Sequence, residues 1–302
     1  MRSVVTGAAG FIGSHLAEAL LARGDEVVAV DSFTDYYDPA LKEENARELD
    51  VRRVDLAEED LDLDGVDAVF HLAGQPGARS FGPVFADYLR RNALATQRLF
   101  ESARGTRVVY ASSSSIYGDA ERYPTPEDAE PRPNSPYGIT KLACEHLAAA
   151  YGRAYGLDAV GLRYFTVYGP RQRPDMAFAR LVVALARGGS FEVYGDGTQS
   201  RSFTYVADVV DATIAALEAP AGAVYNVGGG EEASIRDAIG LLEEIAGRPL
   251  EVVYGPPQAG DMKRTKADTT RIERELGWRA TTPLRTGLEA HWAWASGRVA
   301  AR

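Results

Sequence analysis

The sequence predicts an α/β protein with a doubly wound parallel sheet, followed by a smaller C-terminal α/β lobe. Short apolar runs alternate with helical segments through residues 1–165, and strands separated by helices usually pair in parallel. These runs are apolar throughout rather than alternating, as expected of strands that are covered on both faces. A glycine-rich turn between the first run and the first helix completes the pattern.

The N-terminal strands and helices follow from these patterns in chain order. Residues 11–23 have apolar side chains at helical spacing and end at Gly24, a typical helix stop. Asp31 directly follows the second strand. A short third strand is predicted before Asp55; the other strands are 3–6, 26–30, 67–72, 106–111 and 157–164, and the further helices are 83–103 and 135–155.

The character of the sequence changes after Gly169-Pro170. Loops become richer in glycine and proline, while four helical segments persist at 178–187, 206–217, 235–246 and 270–276. We therefore predict a first domain of residues 1–169 and a second lobe of residues 170–302, with segments of the second lobe returning to the first domain.

Composition and charge narrow the classes of function. The chain has 302 residues, 45% of them hydrophobic and 25% charged, as is usual for a globular protein. Its net charge is −10 and it has no long basic run, which argues against nucleic acid as a partner. A small anionic ligand is still compatible with this charge.

No stretch reaches the roughly 18 apolar residues of a membrane span and no signal peptide is evident, so we predict a cytoplasmic protein without a membrane partner.

Cysteine and histidine are too few to suggest a metal centre. Cys144 is the single cysteine, which excludes an intrachain disulfide and a cysteine-based zinc site. It lies in an apolar helical stretch and is predicted to be a buried, inert residue. The four histidines are scattered, and His71 is interpreted as structural. We predict no metal.

The glycine-rich turn predicts a dinucleotide site. Gly7, Gly10 and Gly13 follow a strand and open a helix, where backbone N–H groups can face a pyrophosphate. Asp31 lies 18 residues after Gly13 at the end of the next strand, where its carboxylate can accept hydrogen bonds from an adenosine ribose and would repel a 2′-phosphate. NAD is therefore favoured over NADP in a Rossmann-type domain. The alternative is a structural turn with an acidic strand end.

Two later strand ends would complete this site. Asp55 and Leu56 follow the third strand and could meet the adenine amino group. Leu72, Ala73 and Gly74 follow the fourth strand and would pass close to the pyrophosphate.

Tyr137 and Lys141 form a candidate proton-transfer pair. Residues four apart share one face of a helix, and an ammonium near a phenol favours the phenolate, as a general base near neutral pH requires. Ser113 comes from the loop after the fifth strand, and its hydroxyl could orient or relay the proton. A Tyr-x-x-x-Lys spacing alone also fits a helix face without chemistry.

The whole set of motifs resembles the extended short-chain dehydrogenase/reductases. The resemblance runs essentially from end to end and implies a cofactor site that also includes Phe11, Ile12, Ser32, Gln75, Ser112 and Tyr164. The segments that carry it, in order, are 6–13, Asp31, 71–74, 112–118 and 137–141.

The chain is similar to the nucleotide-sugar branch of that family at 164–170, 195–201 and 260–261. In that branch the position of Arg201 holds the nucleotide diphosphate, for which the guanidinium fork is suited. The position of Asp261 reaches the ribose, the residues around Val193 and Tyr194 flank uracil, and Gln199 is a further substrate candidate.

Three local features narrow the branch. Sugar dehydratases of this fold carry Asp-Glu where this chain has Ser114 and Ser115, and related decarboxylases often carry a glutamate in the same loop. UDP-glucose 4-epimerases carry asparagine at the position of Thr166. Segments 35–39, 75–79 and 171–176 instead resemble UDP-glucuronate 4-epimerases.

This resemblance implies a reaction through a 4-keto sugar. Tyr137 would remove the C4 hydroxyl proton while NAD takes the hydride, and the sugar would rotate and recover the hydride on its other face. With a carboxylate at C6 the intermediate is a β-keto acid, which can lose CO2 unless the carboxylate is held out of alignment. Arg173 can clamp it with two hydrogen bonds, aided by Thr166 and Ser114. NAD would be tightly bound and regenerated in each turnover.

Several alternatives remain open at this point. The chain could act on neutral UDP-hexoses, as a UDP-glucose 4-epimerase does, or be a UDP-glucuronate decarboxylase. A non-catalytic NAD-binding scaffold is disfavoured because Ser113, Tyr137 and Lys141 are all present. Helices 83–103 and 135–155 are apolar on more than one face, and together with the family resemblance they predict a homodimer.

Overall fold

A computed structural model describes residues 1–77, 80–256 and 264–300 of the chain. The strands are β1 (Arg2–Thr6), β2 (Glu26–Asp31), β3 (Val51–Arg53), β4 (Ala68–His71), β5 (Arg107–Ser113), β6 (Ala159–Tyr164), β7 (Thr166–Tyr168), β8 (Ser190–Tyr194), β9 (Ser200–Tyr205), β10 (Val224–Val227), β11 (Glu232–Ser234), β12 (Glu251–Gly255) and β13 (Arg264–Thr265). The α-helices are α1 (Phe11–Ala22), α2 (Pro39–Asn45), α3 (Phe85–Tyr88), α4 (Ala95–Ser102), α5 (Pro136–Tyr155), α6 (Ala177–Arg187), α7 (Val206–Ala215), α8 (Ile235–Ala246), α9 (Thr270–Leu276) and α10 (Leu284–Ala300).

A seven-stranded parallel sheet forms the centre of the molecule, in the order β10-β6-β5-β4-β1-β2-β3. Val4 of β1 pairs with Val28 on one side and Val69 on the other. The apolar runs of β1, β4 and β6 are almost wholly buried, because helices cover both faces. The prediction of a doubly wound parallel sheet is confirmed.

The helices pack on the sheet in two layers. On one face Leu16 and Leu20 of α1 pack with Val209 of α7 and are fully buried, and burial of each leucine contributes roughly 2 kcal/mol. On the other face Leu99 of α4 and Ala148 of α5 belong to a separate core. The sheet therefore separates two hydrophobic layers.

Two small sheets and the helices α6 to α10 make up most of the described C-terminal part. Strands β11, β9 and β13 form one sheet with β7 attached to β9, and β12 pairs with β8. Helices α6, α8 and α10 enclose a second core around Leu181, Leu242 and Leu288. Strand β10 instead joins the central sheet beside β6, and α9 packs near it. The four predicted C-terminal helices correspond to α6, α7, α8 and α9, whereas α10 was not predicted.

The predicted helix 83–103 is not a single α-helix. A π-helical segment, Leu89–Leu94, separates α3 from α4. Within it, Asn92 is buried and bonds both backbone groups of Gln75, with the Gln75 N–H donating to Oδ1 at 2.7 Å. Such local widening of a helix often accompanies functional sites. No described helix combines the length and apolarity needed to cross a membrane.

Candidate active site

A cleft of about 330 Å³ opens at the carboxyl ends of β1, β2, β4 and β5, where ligands bind in open parallel sheets. The structure brings every predicted cofactor residue to its wall. These residues are Gly7, Gly10, Phe11, Ile12, Gly13, Asp31, Ser32, Asp55, Leu56, Leu72, Ala73, Gly74, Gln75, Ser112, Tyr137, Lys141 and Tyr164, and Ser113 and Arg173 also line it.

The glycine turn forms a tight cradle at the start of α1. A Cβ on Gly13 would lie 2.1 Å from the carbonyl oxygen of Gly7, so the turn requires glycine there. Gly7 has a φ of +72° and passes close to the backbone of Ala73. The N-terminal N–H groups of α1 consequently face the cleft without side chains between, which fits a dinucleotide pyrophosphate.

Asp31 is fixed by the backbone at the end of β2. The N–H of Ala9 donates to its Oδ2 at 3.1 Å and that of Phe33 to Oδ1 at 2.7 Å. Phe33 has a φ of +50°, a conformation that costs energy for a residue with a side chain. Each carboxylate oxygen keeps a second acceptor position, so Asp31 can still receive ribose hydroxyl groups.

Asp55 is held similarly at the adenine end of the predicted site. Arg90 donates to its Oδ2 at 2.7 Å, and the N–H of Ala57 donates to Oδ1 at 2.9 Å. Arg90 also pairs with Glu58 at 2.7 Å. These contacts fix the carboxylate at the cleft wall.

The start of α5 positions Tyr137. Ser135 caps the helix by accepting from the Gly138 N–H at 3.1 Å, and Pro136 occupies the first helical turn. A Cβ on Gly138 would lie 2.5 Å from the Ser115 carbonyl oxygen. The helix therefore packs directly on the serine loop, which brings Tyr137 and Ser113 to one cleft.

Lys141 lies one turn further along the same helix face and is buried. Its Nζ donates to the Ala111 carbonyl oxygen at 2.9 Å. Ser113 is also buried, and its Oγ accepts from the Ser115 N–H at 3.1 Å. Both side chains are thus oriented by the carboxyl end of β5 and the turn that follows it, and Ser113 is the last residue of the strand.

A buried network supports this loop from behind. Arg163 of β6 donates to Glu145 of α5 through Nε (3.0 Å) and Nη2 (2.8 Å), and both side chains are only 8% exposed. We call Arg163 and Glu145 the buried pair. Ser112 donates to the same Glu145 carboxylate at 2.5 Å. The buried pair therefore ties α5, β5 and β6 together one turn beyond Lys141.

Arg173 reaches the cleft from the loop after β7. Its Nε and Nη2 donate to the two oxygens of Asp175 at 3.0 and 3.1 Å, and we call these two residues the cleft pair. The Tyr36 hydroxyl donates to Asp175 at 3.3 Å. Burial opposes protonation of Arg173, but Asp175 and, to a smaller extent, Tyr36 and Tyr137 raise its pKa.

The remaining substrate candidates that the structure describes do not line this cleft. Ser114 opens the short helix after Ser113, and Thr166 begins β7 between two residues that do line the cleft. In the C-terminal lobe Val193 is buried in the second core, Gln199 donates to the Tyr194 carbonyl oxygen at 3.0 Å, and Arg201 lies on β9 and donates to the Ser200 carbonyl oxygen at 2.8 Å. Asp261 lies outside the described residues.

The cleft wall also includes residues that were not predicted as site residues from the sequence, among them Lys42, Arg91, Tyr36 and Tyr37. Lys42 is buried, its Nζ donates to Thr34, and burial lowers its pKa. Arg91 donates to the Gln75 side chain at 2.8 Å. Tyr36 and Tyr37 fold over the cleft from the loop after β2. The tyrosine pair stood within a segment used for the family resemblance, whereas Lys42 and Arg91 gave no separate signal.

His71 has the structural role that was predicted from its position. Nδ1 of His71 is hydrogen-bonded to the Thr6 hydroxyl at 2.8 Å, and this hydroxyl also accepts from the Ala73 N–H. Nε2 is hydrogen-bonded to the Thr96 hydroxyl at 2.9 Å. Burial lowers the pKa of His71 to about 3, which keeps the ring neutral. Among the described residues, no group of three or more His, Cys, Asp or Glu side chains could hold a metal ion.

Comparison with known proteins gives a consistent family. The model of a family described as the NAD dependent epimerase/dehydratase family matches residues 3–228. An uncharacterized UDP-glucose epimerase of Bacillus subtilis, YtcB, is 40% identical over 98% of this chain and 98% of its own.

Solved structures resemble the chain over its full length. The crystal structure of UDP-glucuronic acid 4-epimerase from Bacillus cereus, in complex with UDP-glucuronic acid and NAD, has a TM-score of 0.94 and 41% identity and covers 99% of this chain and 100% of that one. MoeE5 in complex with UDP-glucose and NAD has a TM-score of 0.86 and 42% identity, with complete coverage of both chains. MoeE5 was also solved with UDP-glucuronic acid and NAD.

Proposed function

The chain belongs to the NAD dependent epimerase/dehydratase family, and from that premise we propose that it is an NAD-dependent UDP-glucuronate 4-epimerase, an isomerase that forms UDP-galacturonate. The family resemblance predicted from the sequence is thereby confirmed. The observation that carries the proposal is the convergence of Ser113, Tyr137, Lys141 and Arg173 on one cleft. Three of these suit proton transfer beside a cofactor, and the fourth suits a carboxylate.

The cleft fits NAD at its glycine cradle. The turn from Gly7 to Gly13 leaves backbone N–H groups facing the pyrophosphate position, and Asp31 is fixed where the adenosine ribose would lie. NAD, when bound, supplies an oxidised nicotinamide ring that accepts a hydride from sugar C4 and returns it. No net redox change results, so tight retention of the cofactor would serve the reaction.

Tyr137 is the proposed general base and acid. Its phenol oxygen would accept the C4 hydroxyl proton in the oxidation and return it in the reduction. Lys141 is held in place by the Ala111 carbonyl and would stabilise the phenolate electrostatically. Ser113 would orient the C4 oxygen through its hydroxyl group.

Arg173, with Thr166 and Ser114, is proposed to hold the sugar carboxylate. Loss of CO2 from a β-keto acid requires the breaking C–C bond to overlap the carbonyl π system. Two hydrogen bonds from one guanidinium fix the plane of a carboxylate, so the clamp would keep that bond out of alignment while C4 is inverted.

The two lobes would divide the ligands between them. Residues 1–169 are proposed to bind NAD, and residues 170–302 mainly the UDP-sugar, with β10 returning to the central sheet. The uridine diphosphate is assigned to Val193, Tyr194, Gln199, Arg201 and Asp261.

A homodimer in the cytoplasm is part of the proposal. Phe81, Phe85 and Leu89 are 66%, 40% and 46% exposed along α3 and the segments beside it, and Ile139 on the adjacent α5 is 51% exposed. Exposed apolar side chains on two neighbouring helices favour burial against a second copy. Light scattering should give twice the chain mass, and Leu89→Glu with Ile139→Lys should yield the monomer. Cell fractionation tests the location.

A UDP-glucose 4-epimerase is the second candidate. The name of the Bacillus subtilis relative and the UDP-glucose complex of MoeE5 favour it. The two candidates share the C4 chemistry and differ at C6, so only a comparison of the two substrates separates them.

The decisive experiment is NMR of the product formed from UDP-glucuronate by the purified protein without added NAD. UDP-galacturonate without CO2 is expected. A UDP-pentose with stoichiometric CO2 would mean a decarboxylase, and turnover of UDP-glucose alone would favour the second candidate.

A pair of variants tests the catalytic assignment. Tyr137→Phe should abolish turnover, while Tyr155→Phe on the exposed end of the same helix should not. Full activity in Tyr137→Phe would contradict the catalytic assignment and support a non-catalytic scaffold.

A further inference from the structure

The donors of Arg173 that suit a sugar carboxylate already bind a carboxylate of the protein. Both Nε and Nη2 of Arg173 donate to Asp175, two residues along the chain. This side-by-side arrangement is the bidentate geometry that a uronate carboxylate would adopt on the same edge. Arg173 lines the cleft with 23% of its side chain exposed, whereas Asp175 lies beside it and is 40% exposed.

Tyr36 anchors Asp175 from the other side. Its hydroxyl donates to the oxygen of Asp175 that also accepts from Nη2 of Arg173. Burial and the neighbouring Asp175 carboxylate raise the pKa of Tyr36 to about 12, so the hydroxyl stays a donor at neutral pH. Asp175 therefore has a second partner when Arg173 turns to another anion.

We propose that Asp175 is a specificity-determining residue that competes with the substrate carboxylate for Arg173. This inference rests on the proposed function, because it concerns discrimination between a C6 carboxylate and a C6 hydroxymethyl group. One edge of a guanidinium accommodates one bidentate carboxylate, so a uronate must displace Asp175 to use that edge. The incoming carboxylate replaces an existing ion pair rather than neutralising an unpaired charge.

The competition reduces the preference for uronates. When a neutral hexose binds, Asp175 stays on Arg173 and no unpaired cation is left beside the sugar, which would otherwise disfavour the neutral ligand. When a uronate binds, part of its interaction energy is offset by the loss of the Asp175 contact. Asp175 thus narrows the difference between the two substrates from both sides.

The test is the ratio of kcat/KM for UDP-glucuronate to that for UDP-glucose. In Asp175→Asn, which removes the competing charge at constant size, the ratio should rise about tenfold to a hundredfold, the range of one charge-assisted hydrogen bond. The change should lie mainly in KM. Asp175→Glu restores the charge and should return the ratio towards that of the wild type.

Glu18→Gln is the matched control. Glu18 of α1 pairs at 2.8 Å with Arg171, which lies in the same loop as Arg173 and Asp175. Neither Glu18 nor Arg171 lines the cleft. Its substitution should leave the ratio unchanged. An unchanged or lower ratio in folded Asp175→Asn would overturn the proposal and make Asp175 a support for Arg173 only.

Failure of the proposed function would look different. If the wild type acts on UDP-glucose but not on UDP-glucuronate, the assignment as a UDP-glucuronate 4-epimerase fails. The relative affinities of wild type and Asp175→Asn for the two nucleotides, measured by calorimetry, would still decide the role of Asp175. A selective gain for UDP-glucuronate in the variant supports the competition, and an equal change for both refutes it.

Discussion

Two arginine–carboxylate pairs flank the candidate active site and differ chiefly in their contact with water. The buried pair, Arg163 and Glu145, is 8% exposed on both sides and has further partners in Ser112 and Tyr117. The cleft pair, Arg173 and Asp175, is 23% and 40% exposed and faces open space. The buried pair joins α5, β5 and β6, whereas both residues of the cleft pair lie in the loop after β7.

The difference teaches which ion pairs are available for ligand binding. Each guanidinium nitrogen of Arg163 donates to a protein group, so Arg163 cannot change partner without leaving Glu145 charged and buried. Arg173 can exchange one carboxylate for another because water reaches Asp175. We therefore expect substitutions in the buried pair to affect folding and those in the cleft pair to affect substrate selection.

The largest effect should follow from breaking the buried pair. Glu145→Gln leaves the Arg163 cation buried without its counter-charge, which should lower the free energy of unfolding by about 3–5 kcal/mol in chemical denaturation. The double variant Glu145→Leu with Arg163→Met removes both charges and should be less destabilised than the single variant. Equal losses in the two would contradict the role given to the unpaired charge.

Removal of the cleft arginine should lower activity towards the uronate and leave stability nearly unchanged. Arg173→Ala should lower kcat/KM for UDP-glucuronate roughly 10- to 100-fold, because charge-assisted hydrogen bonds to the carboxylate are lost, with a smaller change for UDP-glucose. The free energy of unfolding of Arg173→Ala should differ from that of the wild type by less than about 1 kcal/mol. Arg173→Lys keeps the charge without the planar fork and should recover activity only in part. A strongly destabilised Arg173→Ala would erase the distinction between the pairs.

His291 extends the comparison to a buried group whose ring nitrogens have no hydrogen-bond partner. Burial lowers its pKa from 6.5 to about 3, so between these values the unfolded chain binds the proton and the folded chain does not. Stability is then full above pH 6.5 and falls as the pH drops towards 3, by about 1.4 kcal/mol at pH 5.5. We expect the free energy of unfolding, measured by chemical denaturation at pH 7.5 and 5.5, to fall less between these pH values in His291→Leu than in the wild type. The exposed His146→Leu serves as the control, and equal slopes in all three proteins would exclude this source.

The smallest effect is expected at a fully solvated pair. Arg122 and Asp128 are 2.7 Å apart, with side chains 61% and 78% exposed. Asp128→Ala should change the free energy of unfolding by no more than about 0.5 kcal/mol, because exposed pairs gain little over hydration. A loss above about 2 kcal/mol would show that exposure is a poor guide to the importance of these ion pairs.

Much of the cofactor side of the cleft was predictable because its signals are local. The glycine spacing, the acidic end of β2 and the four-residue step from Tyr137 to Lys141 each depend on a single turn or helix. The strand–helix alternation likewise predicted the central sheet, since parallel strands bring their carboxyl ends together.

The less predictable features depend on contacts between distant segments. Glu145 and Arg163 are 18 residues apart and meet only when β6 lies beside β5. Asn92 and Gln75 meet through the π-helical segment, which apolar periodicity does not reveal. Helix α10 carries the core residues Leu284 and Leu288 among tryptophan, glycine and charged residues that weaken its pattern.

The position of β10 has a consequence for how the chain is made. This strand pairs with the outer side of β6 in the central sheet. It comes more than 50 residues after the predicted start of the second lobe at residue 170. A nascent chain that ends near residue 169 would expose β6 as an unpaired sheet edge, which favours aggregation. The central sheet can therefore reach its seven strands only after residue 227 has left the ribosome, and expression of residues 1–169 alone should give inclusion bodies.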